Sequence, residues 1–133
     1  MSAFTVGQEI APKIFFINRA TLIAYADASG DQNPIHQDEE FAKSVGLGNV
    51  IAHGMYTMGL VSQYIGSVAG SSAKVREFSA RFTKPVLVPL GVDVELIVSA
   101  MVIEVSDAMA KLEITATCNG VKVLGMTKAS ILL

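Results

Sequence analysis

Residues Val50 to Ala69 read VIAHGMYTMGLVSQYIGSVA, and whether this stretch crosses a bilayer or lies inside a sheet decides the fold. It is the longest apolar run in the chain, and about 20 such residues suffice to span a membrane as a helix. Against spanning stand His53, Gln63, the tyrosines Tyr56 and Tyr64, and five Gly or Ser residues within the run. No charged flank or second span accompanies it. A helix apolar on nearly every face belongs inside a protein as readily as inside a bilayer, so the expectation is a buried helix and no membrane insertion. From Gly54 to Val68 it would measure about 22 Å at 1.5 Å per residue, long enough to be wrapped by a sheet. The Gly66-to-Gly70 spacing marks its end rather than a membrane contact.

Downstream, the apolar residues alternate with polar ones. Phe78, Ala80 and Phe82 alternate with Ser79, Arg81 and Thr83, and Val92, Val94, Leu96 and Val98 with Asp93, Glu95 and Ser99. Leu112, Ile114, Ala116 and Cys118 do the same, and Asn119-Gly120 supplies the two positive-φ residues of a tight hairpin before a last strand from Val121 to Leu133. Upstream, Met1 to Pro12 is a mixed start with a turn at Gly7, and Ile14 to Ile17 reads as a short strand. Asn18 can cap a helix from Arg19 to Ser29 that stops at Gly30. Asp38 caps a second, short helix beginning Glu39-Glu40, whose acidic first turn complements the helix dipole. One buried helix and four long strands after it give an α+β layer pair, a curved antiparallel sheet around a helix.

Composition sets the outer limits. A chain of 133 residues with 51% hydrophobic content is expected to form one domain, residues 1–133, with ample core material. The net charge of -2 and the scattered Lys and Arg residues argue against a nucleic-acid surface. Cys118 is alone and no secretory leader pattern is visible, so a reducing cytoplasm is expected.

The chemistry concentrates between the first two helices, in Tyr25 to Ala42, YADASGDQNPIHQDEEFA. Gly30 lets the backbone leave the helix, and Pro34 fixes its own φ while pushing Asn33 into an extended conformation, so a shaped loop resistant to regular structure is expected. Asp31 and His36 stand across that bend, able to reach one water molecule if the turn folds back. The same residue types are also the ordinary vocabulary of turns, and a lone Gly-Asp pair would say no more than that.

The whole string resembles the signature of the MaoC-like, (R)-specific enoyl hydratases, in which an aromatic residue precedes Ser-Gly-Asp-x-Asn-Pro-aliphatic-His and a small residue follows. Tyr25, Ser29, Gly30, Asp31, Asn33, Pro34, Ile35, His36 and Ala42 match it. Ile51-Ala52-His53-Gly54-Met55 resembles the family's approach to its central helix, and with Arg81-Phe82-Thr83 it is similar to the catalytic subunit of mycobacterial-type 3-hydroxyacyl-ACP dehydratases. The resemblance implies a hotdog fold, with Arg19 to His53 laid over the helix as an extra lobe. It also implies pairing into a homodimer or a heterodimer with a related hotdog subunit, which would cover part of the apolar surface of so small a chain.

The implied reaction is the reversible hydration of 2-enoyl thioesters, carried by CoA or by acyl carrier protein (ACP), to (R)-3-hydroxyacyl thioesters. It needs a base for water, an acid for the carbon next to the carbonyl, and donors to the thioester oxygen. Family membership would make Asp31 and His36 the pair that holds the water. The backbone N–H of Gly54, at the start of the central helix, would face the developing oxyanion. Asn33, His53 and Ser62 are supporting candidates: Asn33 to orient the loop, His53 to contact the loop or ligand, Ser62 to reach the site from two turns along the helix. Acyl-thioester hydrolysis and a non-catalytic acyl-binding role stay open as alternatives, because hotdog domains serve in both.

No cofactor is expected. Beyond its carboxylates the chain offers only His36, His53 and Cys118 for a metal, short of a zinc site at workable spacing. The Asp31-x-Asn33 start of a calcium loop fails at Ile35 and at His36, where glycine is required. Nucleophile elbow, phosphate loop and dinucleotide fingerprint are all absent from the sequence.

Overall fold

The computed structural model describes residues 4–133, so the first three residues of the mixed start lie outside it. Strand β1, Glu9–Ile17, leads into helix α1, Arg19–Ser29, and then to the short α2, Glu39–Ser44, and the long α3, Gly54–Ala69. Strands β2, Val75–Phe82, β3, Val94–Val105, β4, Met109–Cys118, β5, Val121–Lys122, and β6, Leu124–Leu132, complete the chain. They form one antiparallel sheet in the order β1-β3-β4-β6-β2, with β5 paired to β4.

The core lies between that sheet and one side of α3. Thr57, Val61, Tyr64, Ile65 and Ala69 recur at helical spacing and are buried. The sheet meets them with Val94, Leu96, Val98, Ala100 and Val102 of β3 and with Ala110, Leu112, Ile114, Ala116 and Cys118 of β4, alternate residues throughout. Side chains such as Ile65 and Leu112, with no exposed area, each contribute roughly 1.5–3 kcal/mol through burial. Tyr64 buries its ring and donates its hydroxyl to the Ala11 carbonyl at 2.9 Å. No helix among the described residues is long and apolar enough to cross a membrane.

Four local expectations need correction. The helix was expected to be covered on nearly every face, whereas Met55, Gly59, Ser62, Gln63 and Ser67 are exposed. The sheet wraps one side only, and small or polar residues occupy most of the other. The first strand begins at Glu9, not Ile14, because a register shift between Ile10 and Lys13 takes up Pro12, whose missing N–H an edge strand tolerates. The last strand is broken at Val123, with Met126 at φ 49 just beyond, where the chain changes from pairing as β5 to pairing as β6. Finally, Pro34–His36 is a single 3-10 turn within the loop, because Asn33 accepts from the Ile35 N–H and caps it, as Pro at N1 favours.

The other local signals behave as expected. Asn18 makes a capping box with Thr21, Gly30 ends α1 at φ 82, Asp38 caps α2, and Asn119-Gly120 turns at φ 53 and 75. Burial pushes the Cys118 thiol above its ordinary range, which keeps it unreactive.

The lobe from α1 to His53 is fastened by main-chain bonds. Ile51 N–H donates to the Ile35 carbonyl at 3.1 Å, Ala52 N–H to Val86 at 2.9 Å, and Val88 N–H to Val50 at 2.8 Å. This extended piece is thus tied to the loop on one side and to the segment before β3 on the other. Arg19 adds a second fastening, donating to the Val88 carbonyl, Glu39 and Asn49.

Candidate active site

Local turn chemistry shapes the loop between α1 and α2. Ser29 Oγ accepts from the Asp31 N–H at 3.2 Å, and Asp31 Oδ1 accepts from the Asn33 N–H at 3.1 Å. One carboxylate oxygen is therefore held by the turn while Oδ2 points at the imidazole of His36, 3.9 Å from Nε2. Gln37 donates to Gln32, and Gln32 to Asp27, across the outside of the bend.

His36 is buried, in contrast to the half-exposed Asp31 side chain. Its Nδ1–H donates to the Ile51 carbonyl at 2.7 Å. A carbonyl only accepts, so a hydrogen must sit on Nδ1, and in the neutral tautomer that leaves a lone pair at Nε2 toward Asp31. The 3.9 Å gap is too long for a direct hydrogen bond, yet one water at about 2.8 Å from each atom can bridge it. Both groups then act as acceptors, and the water's lone pairs remain free.

His53 completes the cluster. It caps no helix group itself, but its Nε2–H donates to the main-chain carbonyl of Asp31 at 3.1 Å, and its ring stacks on His36 with centroids 3.8 Å apart and planes 21° apart. Tyr25 of α1 meets His53 edge-on at 4.7 Å and in turn touches Tyr56 at 5.2 Å. His53 Nδ1 is buried without a hydrogen-bond partner. Burial is the main cause that lowers the His53 pKa below 6.5; the neighbouring His36 pushes the same way, and the Asp31 carbonyl and carboxylate oppose it.

That shift has a measurable consequence. Below pH 6.5 the unfolded chain protonates His53 while the folded one does not, so the unfolded state binds more protons and stability falls as the pH drops. The contribution is fully present above 6.5 and is lost on descending through the folded-state value. Urea midpoints measured between pH 7.5 and about 5 should therefore decline, and less so in His53→Phe.

Gly54 follows directly as the first residue of α3, where the leading amides have no carbonyl partner within the helix. A Cβ built there would lie 2.9 Å from the Phe82 ring, so only glycine leaves this approach clear. Gly54, Phe82, Thr57, Lys84 and Val86 line one cleft of about 340 Å³, whose walls are mainly apolar.

The structure thus brings Asp31, His36 and His53 together, with ligand-type atoms within 4.8 Å; Gly54 follows His53 in the chain and lines a cleft whose walls include none of the three. Asn33 bonds within the loop, its N–H donating to Asp31 Oδ1 and its Oδ1 accepting from the Ile35 N–H. Ser62 is exposed on the open side of α3, about 80° around the axis from Gly54 at 100° per residue. Sequence reasoning missed Phe82 and the Ile51 carbonyl, because neither a ring over a glycine nor a main-chain acceptor leaves a residue-type signal. The trio is a poor metal site despite its composition. A metal must lie in the plane of each imidazole, and two nearly parallel rings stacked 3.8 Å apart cannot both satisfy that.

Residues 3–119 match the family model described as MaoC like domain. A 3-hydroxybutyryl-CoA dehydratase of Methylorubrum extorquens is 35% identical over 89 residues, 66% of this chain and 57% of that protein. Among solved structures, a MaoC-like dehydratase superposes with a TM-score of 0.94 at 31% identity, over 97% of this chain and 40% of the other. The (R)-hydratase from A. caviae involved in PHA biosynthesis superposes at 0.85 with 25% identity, over 100% of this chain and 99% of its own. The chain spans a little over half the length of the curated dehydratase, and nearly all of the hydratase. The sheet-wrapped helix is therefore the hotdog arrangement of these proteins.

Proposed function

The chain belongs to the MaoC-like domain family, and from that premise we propose that it is a hydro-lyase interconverting trans-2-enoyl and (R)-3-hydroxyacyl thioesters. The observation that carries the reading is the 3.9 Å opening between Asp31 Oδ2 and His36 Nε2, two acceptors around a space for one water. That water donates both hydrogens, one to each group, and turns a lone pair toward C3 of the enoyl chain. As its oxygen bonds C3, one O–H bond breaks and the proton passes to the dyad, which protonates C2. The Gly54 amide, at the positive end of α3, stabilises the thioester oxygen while enolate charge develops. In the reverse direction C2 gives up its proton and the hydroxyl leaves as water. No cofactor takes part.

The substrate class is an acyl thioester on CoA or ACP, supported by the names of the similar dehydratase and hydratase. The chain works as one hotdog domain, residues 1–133, in the cytoplasm, as a homodimer or with a related hotdog subunit. The free outer edge of β2 and the exposed Met55, Phe82 and Met126 support that pairing.

Mixing purified protein with crotonyl-CoA tests the reaction. Absorbance of the conjugated enoyl group should fall to an equilibrium value as 3-hydroxybutyryl-CoA forms. Release of free thiol without hydration would replace this reading with thioester hydrolysis, and binding without turnover would make the chain an acyl-binding module.

A further inference from the structure

His53 donates a hydrogen to the Asp31 main chain and lays its ring on His36, so it touches both halves of the dyad while shut away from solvent, a ring nitrogen lying within 4.8 Å of the Asp31 carboxylate. These two contacts do different things. The hydrogen bond fixes the backbone from which the Asp31 carboxylate projects. The stacked ring offers a π face to an imidazole that carries a proton during each turnover, and a neutral aromatic face attracts a cation while a charged one repels it.

We propose that His53 is a positioning residue of the dyad, an imidazole that tethers Asp31 through Nε2–H and supports the imidazolium of His36 with its face. The inference rests on the reading of Asp31 and His36 given above. The titratable side chains packed around it are His36 from the turn, Asp31 from the loop and Tyr25 from α1, with Tyr56 of α3 behind Tyr25. His36 is a cation when protonated, and a second positive charge 3.8 Å away would oppose its protonation. The buried Nδ1 has no acceptor to donate to, which keeps the hydrogen on Nε2.

Two substitutions separate the roles. His53→Gln sets an amide nitrogen near the place of Nε2 and keeps the tether, but removes the face. His53→Phe keeps a face and removes the tether. In the hydratase assay His53→Phe should lose kcat by up to about 10²-fold, the cost of misplacing a reacting group by about 1 Å, and His53→Gln by about 10-fold. KM should stay within about twofold in both, and the acid limb of the kcat profile should move to lower pH in His53→Gln, a response that a merely structural role would not produce. Rates within about twofold of wild type in both variants, or a loss confined to KM, would overturn the proposal.

Nitrogen-15 spectra of the wild-type protein give a readout independent of both activity and refolding. At pH 6.5 the His53 ring should be neutral with its hydrogen on Nε2; a charged ring, or the Nδ1–H tautomer, would refute the assignment. If wild-type protein hydrates nothing, the function proposed above fails, and these spectra still decide whether His53 is the neutral tether.

Discussion

Asp31→Asn and His36→Ala should each lower kcat for crotonyl-CoA hydration by about 10²- to 10⁴-fold, with KM little changed and the fold intact. The asparagine keeps one oxygen to accept from the Asn33 N–H, so the turn survives, but it offers the water an amide that cannot take a proton. Removing the His36 imidazole leaves the Ile51 carbonyl without its donor and the water without an acceptor at Nε2. Because the two groups serve a single water, their effects should not add: the double variant should be hardly slower than the slower single one. Near-wild-type turnover in either single variant, measured beside an unchanged near-ultraviolet circular dichroism spectrum, would remove the dyad from the mechanism.

Gly54→Ala is expected to separate stability from activity. At this first helical position only part of the interior advantage of alanine over glycine, about 1 kcal/mol, is felt, and the atoms its Cβ would meet belong to the ring of Phe82, a half-exposed side chain that can swing aside. Thermal stability should therefore hold or rise slightly. The methyl group would crowd the amide where the thioester oxygen is proposed to sit, and losing one such donor costs about 10²- to 10³-fold in kcat. A variant with unchanged kcat and KM would show that the oxygen is bound elsewhere.

Local signals were legible wherever a residue type has one physical use. Asn18, Gly30, Asp38 and Asn119-Gly120 delimit their elements because caps and positive-φ turns admit few residues. The loop's candidate residues were legible because Asp31, Asn33, Pro34 and His36 lie close in sequence. What remained hidden depends on distant partners. The Pro12 bulge needs β3 beside it, the break at Val123 needs both β4 and β2, and the open side of α3 depends on how far the sheet curls. Ser62 shows the limit of counting turns: eight residues are not a whole number of helical repeats, so the side chain stands about 80° round the axis from Gly54. His53, adjacent to Gly54 in sequence, reveals its link to Asp31 only once the 49–53 segment is pinned between the loop and Val86 to Val88.

The irregular first strand bears on how many copies can gather. At that border of the sheet sits a proline with no hydrogen to give and a ladder knocked out of step beside it, and at the opposite border β2 slips register twice against β6, so neither flank offers a regular ribbon to a newcomer strand. Endless strand-upon-strand stacking is therefore discouraged from both flanks, and a fibre is the assembly this sheet resists.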